Sequence, residues 1–329
     1  ARALFTEEVA GNVYSRYANP NTDEFVRKLC LLEGGEDGIA TASGMSAVFT
    51  AIAARVSSGD HVLASRALFG STHQIFTRIL PKWGVSSDYA DAADPSSWER
   101  LVRPSTKLIF IETPSNPGLE LVDLRWLGDF AAARGIPLVV DNCFATPYLQ
   151  RPLALGANVV THSATKYIDG QGRALGGAII GDASYIADCR FFARHTGPAM
   201  SAFNAWLLSK SLETLAVRMD RHCSNALALA QHFEQHPALT AVRYPFLPSH
   251  PQHELARAQM SQGGGIVVLE LMGGLDAGRR FLDAVQMVSH SANLGDTRTI
   301  VTHPASTTHS RLTPAERAAV GITDGLIRV

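Results

Sequence analysis

From Asp37 to Ile180 the chain repeats one pattern, a short and mainly apolar run followed by a longer stretch that is apolar on one face. The runs are Gly38–Ala42, His61–Ala64, Lys107–Glu112, Ile136–Asp141, Asn158–Thr161 and Gly176–Ile180. Amphipathic stretches such as Met45–Val56, Thr72–Trp83 and Leu124–Arg134 lie between them. A strand with one wet face alternates polar and apolar residues. Runs that are apolar on both faces belong instead to a parallel sheet covered by helices on each side. The pattern predicts an α/β, doubly wound lobe.

After Gly197-Pro198 the pattern changes. Phe203 to about Gln235 reads as one long linking helix, Gly264–Leu271 as a strand and Ala277–Val285 as a helix, so a smaller α+β lobe is expected. The segment Tyr244–His253, with three prolines, reads as irregular surface or lobe edge. With 329 residues, two lobes are the expectation, divided as an arm over 1–20, a large domain over 21–215 and a smaller one over 216–329. There is no initiator Met and the last residues are apolar, so both ends read as incomplete.

Charge narrows the partners. Lys and Arg number 29 against 30 Asp and Glu, which leaves no basic excess for nucleic acid or an anionic membrane. No apolar run is long enough to span a bilayer. Four scattered cysteines form no C-x-x-C pair, which fits a reducing cytoplasm.

Three places at the expected carboxyl edge of the sheet carry chemistry, and that edge is where open parallel sheets bind ligands. Lys166, in His162-Ser163-Ala164-Thr165-Lys166-Tyr167, is flanked by hydroxyls; its amine suits a Schiff base with an aldehyde, and Ser163 and Thr165 suit a phosphate. Taken alone, it reads as a solvated surface lysine on a loop. Asp141 ends an apolar run and needs a partner, which a protonated ring nitrogen would provide; a helix N-cap is the alternative. Ser43, Gly44 and Met45 stand between a strand and a helix, where free backbone N–H groups attract anions; Ser43 is also an ordinary N-cap. One aldehyde cofactor with a pyridine ring and a phosphate satisfies all three places.

In order and spacing, these residues resemble the Cys/Met-metabolism group of pyridoxal-phosphate enzymes. The matching segments are Tyr14-Ser-Arg16-Tyr-Ala-Asn-Pro20, Ser43-Gly-Met45, Glu112-Thr-Pro-Ser-Asn116-Pro, Val140-Asp141-Asn142, Ser163-Ala-Thr165-Lys166-Tyr167 and His303-Pro-Ala-Ser-Thr-Thr-His309-Ser-Arg311. The resemblance implies fold type I, the aspartate-aminotransferase-like architecture, and pyridoxal 5'-phosphate joined to Lys166. It implies Asp141 as partner of the ring nitrogen, and Ser43, Gly44, Met45, Ser163 and Thr165 as the phosphate cradle. Tyr14 and Arg16 are implied to cross a dimer interface to the neighbour's phosphate, with Tyr14 also near the reacting amine. Arg311 is implied to clamp the substrate α-carboxylate, and Asn116 to stand beside that carboxylate and the ring.

Two positions narrow the branch. Phe69 stands where many members of the group place a tyrosine over the ring, keeping the stacking surface without the hydroxyl. Asn293, in Ser291-Ala-Asn-Leu-Gly-Asp296, and the segment Ile168–Arg173 are most similar to the branch that makes homocysteine from O-succinylhomoserine and sulfide. The implied activity is therefore that transferase reaction. The alternatives are O-acetylhomoserine as donor, cysteine as nucleophile, or γ-elimination from methionine or cystathionine. The implied assembly is a homotetramer built as a dimer of dimers. No metal is expected, because His303 and His309 have neither helical spacing nor nearby acidic ligands.

Overall fold

The computed structural model describes residues 2–5, 8–9, 11–310, 313–314, 317 and 321–329. The strands of its large sheet are β1 (Asp37–Thr41), β2 (His61–Ser65), β3 (Ser86–Ala90), β4 (Thr106–Glu112), β5 (Leu138–Asp141), β6 (Val159–Ser163) and β7 (Gly177–Gly181). They lie in the order β1-β7-β6-β5-β4-β2-β3. All neighbouring pairs are parallel except the two that β7 makes with β1 and β6. Every strand but β7 therefore points its carboxyl end toward one edge.

Successive strand residues serve opposite faces, which is why the runs carry no polar alternation. Leu108, Phe110 and Val139 pack with Val48 and Ile52 of the helix Gly44–Ala53 and with Ile186 of the helix Ala183–Thr196. Ile109, Ile111, Leu138 and Val140 pack with Leu127 and Phe130 of the helix Leu124–Ala132 on the other face.

A smaller sheet follows, in which β9 (Val268–Leu271) lies between β8 (Leu239–Arg243) and β12 (Leu326–Arg328), all antiparallel. A two-residue pair, β10 (Ser289–His290) and β11 (Ile300–Val301), flanks it. One apolar core joins the two parts, running from Phe25 and Ala178 through Tyr167 and Leu208 to Ile266 and Leu326.

The elements differ from the sequence expectations in four places. The linking helix is two helices, Ala202–Leu212 and Leu215–Phe233. At the break, the Thr214 hydroxyl and the Arg218 guanidinium both donate to the Ser211 carbonyl, replacing the helical N–H. Thr72–Trp83 is not one helix either: Gly70–Gln74 is α, Ile75–Ile79 is a π turn and Leu80–Trp83 is 3-10. Pro81 has no N–H to give, and proline disfavours an α conformation in the residue before it. The edge strand β3, Ser-Ser-Asp-Tyr-Ala, is too polar for the apolar-run criterion. Lastly, Tyr244–His253 is irregular yet partly internal, since Tyr244, Leu247 and His250 are buried.

Candidate active site

The residues singled out in the sequence gather where the strand topology places them, at the shared carboxyl edge. Ser43 follows β1, Phe69 follows β2, Asn116 follows β4, Asp141 ends β5, and Ser163, Thr165 and Lys166 end or follow β6.

Ser43 caps the helix Gly44–Ala53 reciprocally with Ser46: Ser46 N–H donates to Ser43 Oγ at 3.2 Å and Ser43 N–H to Ser46 Oγ at 2.9 Å. The cap uses Ser43's own hydroxyl and leaves the Gly44 and Met45 N–H groups at the helix end without helical partners. A Cβ on Gly44 would fall 2.4 Å from Ser163 Cβ, so only glycine lets the helix end reach that serine. The Ser163 hydroxyl has no partner among the described residues, whereas Thr165 Oγ1 receives Gly176 N–H at 3.2 Å and braces a loop. Backbone N–H groups converging with a free hydroxyl at a helix N-terminus make a seat for a phosphate.

Asp141 accepts from Cys143 N–H at 3.0 Å through Oδ1. Burial pushes its carboxyl up to about 6, while that bond and the nearby His162 and Lys166 pull the other way. This carboxylate therefore lacks a cation close enough to offset its burial, which is what a protonated ring nitrogen would provide. Amine, carboxylate and phosphate seat together fit pyridoxal phosphate.

Lys166 Nζ donates to Asn293 Oδ1 at 2.7 Å, and burial lowers its basicity below the ordinary lysine value. Asn293 is brought there by Gly295, whose φ of 80° belongs to the left-handed region and whose Cβ position lies 2.5 Å from Tyr167 N. Phe69 is 39% exposed, with its N–H held by Glu112 Oε2 at 2.8 Å.

Arg328 is the residue the sequence reading missed. It sits in β12, 4% exposed, and burial depresses its guanidinium to about 10. Nη1 donates to Asn116 Oδ1 at 3.0 Å, and Nη2 to the carbonyls of Ala292 and Asn293 at 2.9 and 3.0 Å. No carboxylate pairs with it among the described residues. A buried cation that touches only neutral acceptors is a place for an anion. The available signal was a lone arginine inside the apolar strand Leu326-Ile-Arg-Val329.

Also missed were Glu112 and a pair beneath Asp141, buried Glu33 and His162, at 2.6 Å. Asn142 Nδ2 and Gln150 Nε2 continue that pair as an amide chain.

The remaining sequence candidates lie apart. Arg311 is outside the described residues. Tyr14 and Arg16 are not brought to Lys166 within the chain; Arg16 covers the Tyr14 and Tyr17 rings and bonds the Arg194 carbonyl. They belong to the region of a cavity of about 730 Å³ lined by Arg16, Tyr17, Arg190 and Arg194, with neither Lys166 nor Asp141 in its wall. His303 has both ring nitrogens engaged, by Ser306 and the Asp324 carbonyl. Among the described residues no group of three His, Cys, Asp or Glu could hold a metal. No described helix is long and apolar enough to cross a membrane.

The model of the family described as "Cys/Met metabolism PLP-dependent enzyme" matches residues 1–329. An O-succinylhomoserine sulfhydrylase of Pseudomonas aeruginosa is 53% identical over 329 residues, covering 100% of this chain and 82% of that protein. An L-methionine gamma-lyase of Porphyromonas gingivalis is 42% identical over 328 residues, covering 99% of this chain and 82% of that one. Among solved structures, a putative O-acetylhomoserine (thiol)-lyase of Campylobacter jejuni, carrying N'-pyridoxyl-lysine-5'-monophosphate, superposes with a TM-score of 0.95 at 34% identity. That match covers 100% of this chain and 86% of the other. The architecture is fold type I and the cofactor is pyridoxal phosphate.

Proposed function

Because the chain belongs to the Cys/Met metabolism family of pyridoxal-phosphate-dependent enzymes, we propose that it exchanges the succinyl group of O-succinylhomoserine for sulfide, yielding homocysteine and succinate. One observation carries the reading: Lys166, Asn293, Arg328 and Asn116 form a continuous hydrogen-bonded chain beside Asp141 and the phosphate seat. An α-amino acid presents its amine to one end of that chain and its carboxylate to the other.

Bound pyridoxal phosphate, attached at Lys166, supplies an electron sink for bonds broken next to the amine-bearing carbon. Asp141 holds the proton on the ring nitrogen, and the Gly44 and Met45 N–H groups with the Ser163 hydroxyl hold the phosphate. Arg328 takes the α-carboxylate, with Asn116 fixing the guanidinium plane. Once the substrate amine has taken its place on the cofactor, the freed Lys166 amine lifts the protons from Cα and Cβ and returns them; its lowered basicity leaves more of it in the neutral, accepting form. At Cγ the C–O bond breaks with its electron pair leaving on succinate, and a sulfide lone pair makes the C–S bond. Phe69 covers the ring without a hydroxyl, so it gives and takes no proton there.

Tyr14 and Arg16 complete the neighbouring subunit's phosphate seat in a dimer, and two dimers form the working tetramer. The setting is the cytoplasm, where the four thiols stay free as they are here.

The similarity to a methionine gamma-lyase favours a second reading, elimination from Cγ without an incoming nucleophile. Steady-state assays of succinyl and acetyl esters, each with sulfide and with cysteine, against L-methionine alone, separate the two. Homocysteine formed fastest from the succinyl ester and sulfide sustains the proposal. Equal turnover of the acetyl ester, or faster keto-acid release from methionine, removes it.

A further inference from the structure

Glu112 ends β4 and pairs in register with Asp141 at the end of β5, and it is buried. Two carboxyl groups on adjacent strands of a dry edge do not both stay charged unless each has its own cation. The basic groups near the pair stand on the Asp141 side, His162 and Lys166, and Asp141 Oδ1 also accepts the Cys143 N–H. The Cys143 thiol, also at this edge, is pushed up by burial and by both carboxyls. Glu112 has no basic partner among the described residues and accepts only from the backbone N–H groups of Phe69, at 2.8 Å, and Asn116. Those two amides head different loops, the one that lays Phe69 over the site and the one that sets Asn116 against Arg328. The two carboxyls thus divide their work.

We propose that Glu112 is a positioning residue of the cofactor site: it stands as the neutral acid of the carboxyl pair, tying the Phe69 loop to the Asn116 turn while Asp141 remains the anion. Burial and the neighbouring Asp141 both hold the Glu112 carboxyl well above the usual carboxylate range, in line with this division. The inference rests on the proposed reading of Asp141 as the partner of the ring nitrogen and of Phe69 as the group over the ring.

The test is equilibrium binding of pyridoxal phosphate to the full chain between about pH 5 and 8, for the native protein and for Glu112→Gln, Glu112→Asp and Glu112→Ala. Circular dichroism and thermal midpoints serve as folding checks. Shortening the side chain removes the Phe69 contact, so the aspartate and alanine variants should bind about tenfold more weakly, the usual cost of one lost bond to a buried donor. Glutamine replaces a neutral acid with a neutral amide, so that variant should lose less affinity and keep the native pH midpoint. A midpoint moved to lower pH in Glu112→Gln would show that Glu112 had carried charge, and would overturn the proposal. So would native affinity in Glu112→Asp and Glu112→Ala. If those two do not fold, the glutamine midpoint decides. Failure of the native chain to bind the cofactor would instead remove the reading of the site on which the inference rests.

Discussion

The strand-end floor of the site and the N-terminal arm are built in opposite ways. On the floor, Asp141, Ser163 and Lys166 come from two adjacent parallel strands, and Gly44 reaches Ser163 so closely that no side chain fits between. Every position there is fixed by sheet register and by helices buried on both faces. In the arm, Tyr14 and Tyr17 remain 53% and 43% exposed, and the cations Arg16 and Arg194 on their rings are the contacts that define their place. The floor is set by packing on every side, whereas the arm keeps its aromatic rings half open to solvent.

Perturbing each region sharpens the contrast. Lys166→Ala should abolish turnover, a loss of at least ~10³-fold for removing a positioned proton carrier, with loss of the visible absorbance of the loaded protein. Unaltered absorbance and homocysteine formation would break the assignment. Next in size, Arg328→Lys should cut kcat/KM about a hundredfold, mostly through KM, because a point charge cannot span Asn116 and a carboxylate as the planar fork does. A full kinetic profile locates the loss.

The pH dependence follows from Asp141. Its carboxyl, raised to about 6 in the bare fold, must give up its proton when a protonated ring nitrogen arrives. Affinity for the cofactor should accordingly hold above pH 6 and fall toward tenfold per unit below it, as one proton is expelled per molecule bound. The sign for the bare protein is the reverse: an acid raised on folding stabilises less as pH climbs from its unfolded value toward 6. Chemical denaturation of cofactor-free protein at pH 5 and 7 checks that sign. The smallest effect belongs to the arm. Removing residues 1–16 should loosen the cofactor and shift the assembly toward monomers in sedimentation, leaving the fold of the floor intact. Unchanged affinity would mean that the arm serves no neighbouring site.

Much of this was legible in the sequence because parallel strands buried on both faces have an unmistakable composition, and their ends locate a site almost automatically. Asp141 and Lys166 could be picked out for that reason. Ser43 could be read two ways, and it is the N-cap that its hydroxyl serves. What escaped was whatever depends on long-range pairing. Arg328 is 162 positions from Lys166 in a strand that reads as plain apolar filler, and only its pairing with β9 turns it toward Asn116. Glu33 looks like the polar end of an amphipathic helix until His162 is found against it. The break at Thr214 depends on Arg218 folding back onto Ser211, a contact that periodicity does not register.

Asn293 and Arg328 have a mechanical consequence. The amine is carried by the large sheet and the guanidinium by the small one, with Tyr167, Ile266 and Leu326 in the core between them. On the proposed reading the two ends of a substrate are gripped by separate plates of the molecule, and the core that bolts the plates together sets the span of a caliper. A substrate whose amine and carboxylate were one carbon further apart would meet the same groups at the wrong opening. Enlarging the closed end of that caliper would require repacking the interior, with every residue at the mouth left as it is.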